Sequence, residues 1–152
     1  MSLRVPVRRL AIAAVLVAAA IQFVPVDRTN PPVETALTAP PAVREILVGA
    51  CFDCHSHETT WPWYSRVAPL SWLIADHVTE GRRDLNFSRW PAFDLDAQDL
   101  LLREIAREVA AGDMPPRSYA AAHSAARLTA AQRDQIVSWA RPATDSEADL
   151  PY

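Results

Sequence analysis

Residues 51 to 55 read Cys51-Phe52-Asp53-Cys54-His55, and the 152-residue chain contains no cysteine beyond these 2. Two thiols at this spacing reach the two vinyl groups on one porphyrin edge, and the histidine that follows is carried beneath the iron as an axial ligand. A chain built around that run is expected to fold about a flat, apolar disc. Three other uses of a CxxC pair compete with this one. A thioredoxin-like dithiol wants a βαβ context, which the flanking sequence does not offer. Structural zinc needs about four ligands, and only His57, His77 and His123 are left to complete a set with the pair. A disulfide across so short a loop restrains little chain entropy.

The N-terminus supplies a compartment suited to such chemistry. Arg4, Arg8 and Arg9 precede an apolar run from Leu10 to Val24 that is broken only by Gln22. This is the pattern of an export segment, with residues 1–24 a signal peptide or a membrane anchor. Ala18-Ala19-Ala20 offers small residues for cleavage. The apolar run continues past them through Ile21, Phe23 and Val24, which favours an uncleaved anchor, although a bilayer crossing takes about 20 residues. Asp27 and Glu34 follow the segment, so residues 27–152 are expected outside the cytoplasmic membrane, on its periplasmic side, with membrane association through residues 10–24.

Composition fixes the class of the remainder. Only 3 glycines stand against 13 prolines, and alanine and leucine abound, which leaves little for the turns and alternating strands of a β-protein. The expectation is all-α, one small domain of roughly 110 residues. Every one of the 15 basic residues is arginine. Setting Arg4, Arg8 and Arg9 aside leaves 12 against 18 acids, a balance that argues against nucleic acid as a partner.

Along the chain, prolines at 31, 32, 40 and 41 mark residues 25–41 as an extended tether that holds the domain off the membrane. Val43, Ile46 and Leu47 share one face of a helix from about Pro41 to Gly49, which delivers the chain to Cys51. Trp61-Pro62-Trp63-Tyr64-Ser65 suits either the cover of a macrocycle or an ordinary aromatic core. A second helix is expected from Pro69 to Gly81, with Leu70, Leu73, Ile74, His77 and Val78 as its buried stripe. A third has Asp96 as N-cap, carries Asp99, Leu101, Leu102, Ile105 and Val109, and ends at Gly112. The last opens on a capping box at Thr129-Ala130-Ala131-Gln132, carries Ile136, Val137, Trp139 and Ala140, and should pack across the first helix before Pro142 stops it. Residues 142–152 read as an acidic tail, leaving 42–141 as the haem-binding domain.

Met114 is the only methionine besides the initiator, and it sits in a proline-stiffened loop rather than on a helical face. A thioether is a soft neutral ligand that raises the potential of a histidine-ligated iron, so Met114 is the expected second axial ligand. His77, on an apolar stripe, and His123, after the methionine loop, are its rivals. His57 lies too close to His55 to reach the opposite face.

These features together resemble a family. The export segment with Gln22-Phe23-Val24-Pro25-Val26-Asp27-Arg28-Thr29-Asn30-Pro31-Pro32, Cys51-Phe52-Asp53-Cys54-His55-Ser56, Trp61-Pro62-Trp63-Tyr64-Ser65, Leu85-Asn86-Phe87-Ser88 and Met114-Pro115-Pro116 look like the bacterial haem-binding domain proteins, a small cytochrome c-like group. The likeness spans about residues 21 to 141. It implies a cytochrome c-like helical fold with one haem c per chain, held by Cys51, Cys54 and His55 with Met114 opposite. Where that family often has asparagine after the CxxCHS run, this chain has His57. One-electron transfer to a redox partner protein is the leading function. A peroxidase or gas sensor with a labile distal ligand, and a thiol oxidoreductase acting through the CxxC pair, are the alternatives.

Overall fold

The computed structural model describes residues 6–34, 36–90 and 95–141, and among them every regular element is a helix. The α-helices are α1 (Val7–Ala20), α2 (Pro41–Ala50), α3 (Phe52–His55), α4 (Leu70–Asp84), α5 (Leu95–Ala111), α6 (Arg117–Ala122) and α7 (Ala130–Ala140). Single 3-10 turns stand at Ile21–Phe23, Trp63–Arg66 and Ser124–Ala126. The acidic tail expected over 142–152 lies outside the described residues.

Helix α2 begins with Pro41 in its first turn, where a missing N–H costs nothing, and buries Val43, Leu47 and Ala50. Helix α5 buries Ile105, Ala106 and Val109, and it ends in a Schellman turn. Gly112 takes φ 78°, a left-handed conformation that glycine adopts without strain, while the N–H of Asp113 donates to Glu108 at 3.1 Å. Helix α7 carries the expected capping box, with Thr129 Oγ1 accepting from the Gln132 N–H and Gln132 Oε1 accepting from the Thr129 N–H. Its buried Ile136 and Ala140 pack on α5 as well as on α2. Asp96 falls inside the first turn of α5 rather than at its N-cap.

One core unites these helices. Leu37, Val43, Leu47, Phe52, Phe87, Trp90, Ile105, Val109, Leu128 and Ile136 form its larger members, and Leu47 and Ile136 are wholly buried.

Two expectations need correction. Helix α4 does not stop at Gly81 but continues to Asp84, and its buried face is Ser71, Val78 and Gly81. Leu70 and Leu73 are about half exposed and His77 is on the surface. The small residues win that face because α4 crosses α3 at backbone contact. A Cβ placed on Gly81 would stand 2.6 Å from the Cys54 carbonyl oxygen.

Nor does the proline-rich segment stand away from the domain. It has no helix, as its prolines require, but it is bonded along its length. Arg28 donates to the Ser65 carbonyl, Asn30 to the Thr59 carbonyl, Glu34 N–H to Ser88 and Leu37 N–H to Phe87. Its backbone groups find partners on the domain that water would otherwise supply. Helix α1 differs: none of its residues is buried. No helix among the described residues is long and apolar enough to cross a membrane.

Candidate functional site

The CxxCH run is a single helical turn. The N–H groups of Cys54 and His55 both donate to the Cys51 carbonyl, at 3.2 and 3.0 Å. The two intervening residues fix its orientation. Phe52 is buried and stacks on Phe87 with ring centroids 5.2 Å apart. Asp53 points the other way, where its carboxylate accepts from the Thr60 N–H and from the Tyr119 hydroxyl, each at 2.7 Å. Held from both sides, the turn leaves Cys51 and Cys54 half-buried with free thiols. Burial pushes the Cys51 thiol up to about 12 and the Cys54 thiol to about 11, so neither is a thiolate at neutral pH.

His55 is oriented by backbone. Its Nδ1 lies 2.9 Å from the Gly81 carbonyl oxygen and 3.2 Å from that of Leu85. Carbonyls only accept, so Nδ1 carries the proton and Nε2 keeps its lone pair, the tautomer a metal ligand needs. Burial holds the imidazole pKa below its ordinary value, with the Leu85 and Gly81 carbonyls opposing, which favours the neutral ring.

Leu85-Asn86-Phe87-Ser88 closes around this turn. Phe87 N–H donates to the His55 carbonyl at 2.8 Å, and the Phe87 ring meets the imidazole edge-on at 6.3 Å. Ser88 Oγ accepts from the His57 N–H. His57 is buried, with Nδ1 donating to the Pro32 carbonyl and Nε2 accepting from Asn86. It is therefore a structural cross-link between the motif, the 85–88 segment and the N-terminal segment.

Arg82 is the residue that sequence reasoning missed. Its guanidinium donates to the Ser56 carbonyl at 2.8 Å, the Thr29 carbonyl at 2.9 Å, Asn30 Oδ1 at 2.9 Å and Thr59 Oγ1 at 3.0 Å. A planar fork with five donors can join three chain segments at once. Asn30 also accepts from Trp61 Nε1, so the aromatic run is tied into the same network. The presence of Asn30 and Trp61 in the motifs of the resemblance was the available signal. The arginine itself lies in none of them.

The predicted distal candidates part company. Met114 follows the Schellman turn, is half-buried and packs against the core. His123 is half-buried with both ring nitrogens engaged: Nδ1 donates to the Tyr119 carbonyl and Nε2 accepts from the Tyr64 hydroxyl, each at 3.0 Å. Its ring also stacks on Tyr119 at 4.0 Å. Tyr64 is thus linked through His123 and Tyr119 to Asp53, and burial beside that carboxylate raises the Tyr119 pKa. His77 is exposed on α4.

The donor set suits haem better than a bare metal ion. A neutral imidazole with a free nitrogen and two uncharged thiols share one turn, and no cluster of three or more His, Cys, Asp or Glu side chains converges among the described residues. No curated protein matches the chain. No solved structure matches it either. A sequence model of a haem-binding domain matches residues 16–142 and so covers the CxxCH turn, α4 and the methionine loop together. The chain belongs to the haem-binding domain family, and haem is its cofactor.

Proposed function

We propose that this chain is an exported, monohaem, cytochrome c-like electron carrier, with Cys51 and Cys54 forming the thioether bonds, His55 the proximal ligand and Met114 the distal one. The observation that carries the reading is the His55 tautomer: two backbone carbonyls hold the proton on Nδ1 and leave Nε2 to bind iron. Bound haem supplies a one-electron ferric/ferrous couple. The protein's part is to fix the ligands, exclude water and set the potential. Phe52, Phe87 and Trp90 form an apolar wall behind the turn, and Arg82 locks the loops that flank it. The raised thiol pKa values speak against a thiol oxidoreductase, which attacks as thiolate.

Met114 supports electron transfer over peroxide or gas chemistry, because a thioether at the sixth position closes the iron to substrate. Residues 1–24 are proposed to direct export and, while attached, to hold the protein at the periplasmic face of the membrane. Helix α1 is about 21 Å long, short of the roughly 30 Å of a bilayer core. The partner is proposed to be a redox protein that meets the exposed haem edge.

Replacing Met114 with alanine tests the assignment. Loss of the sulfur-to-iron absorption band in the oxidised protein, a lower midpoint potential and rapid carbon monoxide binding by the reduced protein are expected. An unchanged oxidised spectrum and potential would remove Met114 from the iron.

A further inference from the structure

The end of the apolar N-terminal stretch is bonded to the domain through Gln22. Gln22, in the 3-10 turn that follows α1, donates through Nε2 to the Ala68 carbonyl at 3.2 Å, and the Ala68 N–H donates back to Gln22 Oε1 at 3.0 Å. This reciprocal pair fixes Ala68 beside the exit of the apolar helix. A shallow cavity at the junction is lined by Phe23 and Val24 from one side and by Ala68 and Ser71 from the other, with Arg28 and Arg66 at its margin.

Around that point lies apolar surface that the fold does not cover. Val67, Leu70, Trp72 and Leu73 are 37% to 51% exposed, and Val24 is exposed to a similar degree. Apart from Arg8 and Arg9 near its start, helix α1 is apolar, and all of its residues are exposed. The start of the patch lies well along α4 from the His55 anchor. His55 is held by the far end of α4, at Gly81 and beyond, about 16 Å along the helix from Leu70.

We propose that Val67, Leu70, Trp72 and Leu73 dock the haem domain onto the lipid surface, in a fixed orientation set by the Gln22–Ala68 bonds. This rests on the reading that residues 7–24 enter a membrane. Once they do, the residues bonded to Gln22 must lie at the bilayer boundary, and the uncovered side chains around Ala68 meet the headgroup region. Tryptophan is favoured at that depth, and Arg28 and Arg66 beside the patch suit anionic headgroups. Neither arginine is in an ion pair among the described residues. The cysteine turn, at the opposite end of α4, is thereby held off the lipid and open to a partner.

Hydrogen exchange of the haem-loaded full chain tests this, free and reconstituted into vesicles of phosphatidylethanolamine and phosphatidylglycerol. Exchange over residues 66–74 should slow severalfold on reconstitution together with 7–24. The double variant Trp72→Ser, Leu73→Ser should lose the effect at 66–74 while keeping its haem spectrum. Slowing confined to 7–24 would overturn the docking surface and leave the membrane reading standing. No slowing in either stretch would overturn both. Slowing at 66–74 without vesicles, rising with protein concentration, would assign the patch to a second copy of the chain and overturn the proposal.

Discussion

Gly81 serves two purposes in one residue. Its missing side chain lets α4 press against Cys54, and its carbonyl sets the tautomer of His55. A Gly81→Ala change brings opposed effects. Alanine favours the helix by about 1 kcal/mol, but the new Cβ meets backbone at 2.6 Å, where no rotamer change relieves it. Overpacking of that kind costs about 1–3 kcal/mol, so the clash wins. Thermal unfolding of the haem-loaded variant should show a lower midpoint, and an equal or higher one would mean that the crossing is looser than described. The residues of the motif were legible because their chemistry is contiguous: Cys51, Cys54 and His55 stand within five positions. Gly81 and Arg82 were not, since their partners around the turn lie 23 or more residues away in sequence and no periodicity encodes such pairs. Glycine inside an apolar-looking helix suggests a stop; in α4 it instead marks a close approach.

The helices divide by what revealed them. Helices α2, α5 and α7 follow from apolar spacing and caps, and Gly112 and the Thr129 capping box sit where their local chemistry puts them. Apolar spacing places α4 to within three residues of its end but misplaces its buried face. Periodicity weights large apolar side chains, whereas this crossing selects small ones, so Ser71 and Gly81 were passed over for Leu70 and Leu73. The two assignments of the face give different energetics. Val78 is buried, so Val78→Ala should cost about 2 kcal/mol in urea unfolding. Leu73→Ser, at a half-exposed position, should stay within about 0.5 kcal/mol. A Leu73→Ser cost equal to that of Val78→Ala would restore the original stripe. The proline-rich segment was legible as extended chain, but its docking was not, because main-chain and side-chain bonds to residues 59–88 leave no trace in its composition.

On the scale of the whole molecule, one short turn organises everything else. Helices α2 and α4, the 85–88 segment, α6 through Tyr119, and the N-terminal segment through Asn30 and His57 all converge on residues 51–60. So much structure spent on orienting two thiols and an imidazole preorganises these groups to hold a cofactor in one fixed position. The family assignment gives haem as the cofactor. The central claim is the covalent bond through Cys51 and Cys54. It is tested most directly by expressing the full chain in an exporting host with haem-attachment machinery and staining a denaturing gel for haem peroxidase activity. The account predicts a stained band at the protein's mass that disappears in the Cys51→Ala, Cys54→Ala double variant. An unstained band from well-exported protein, beside a stained cytochrome control, would contradict it.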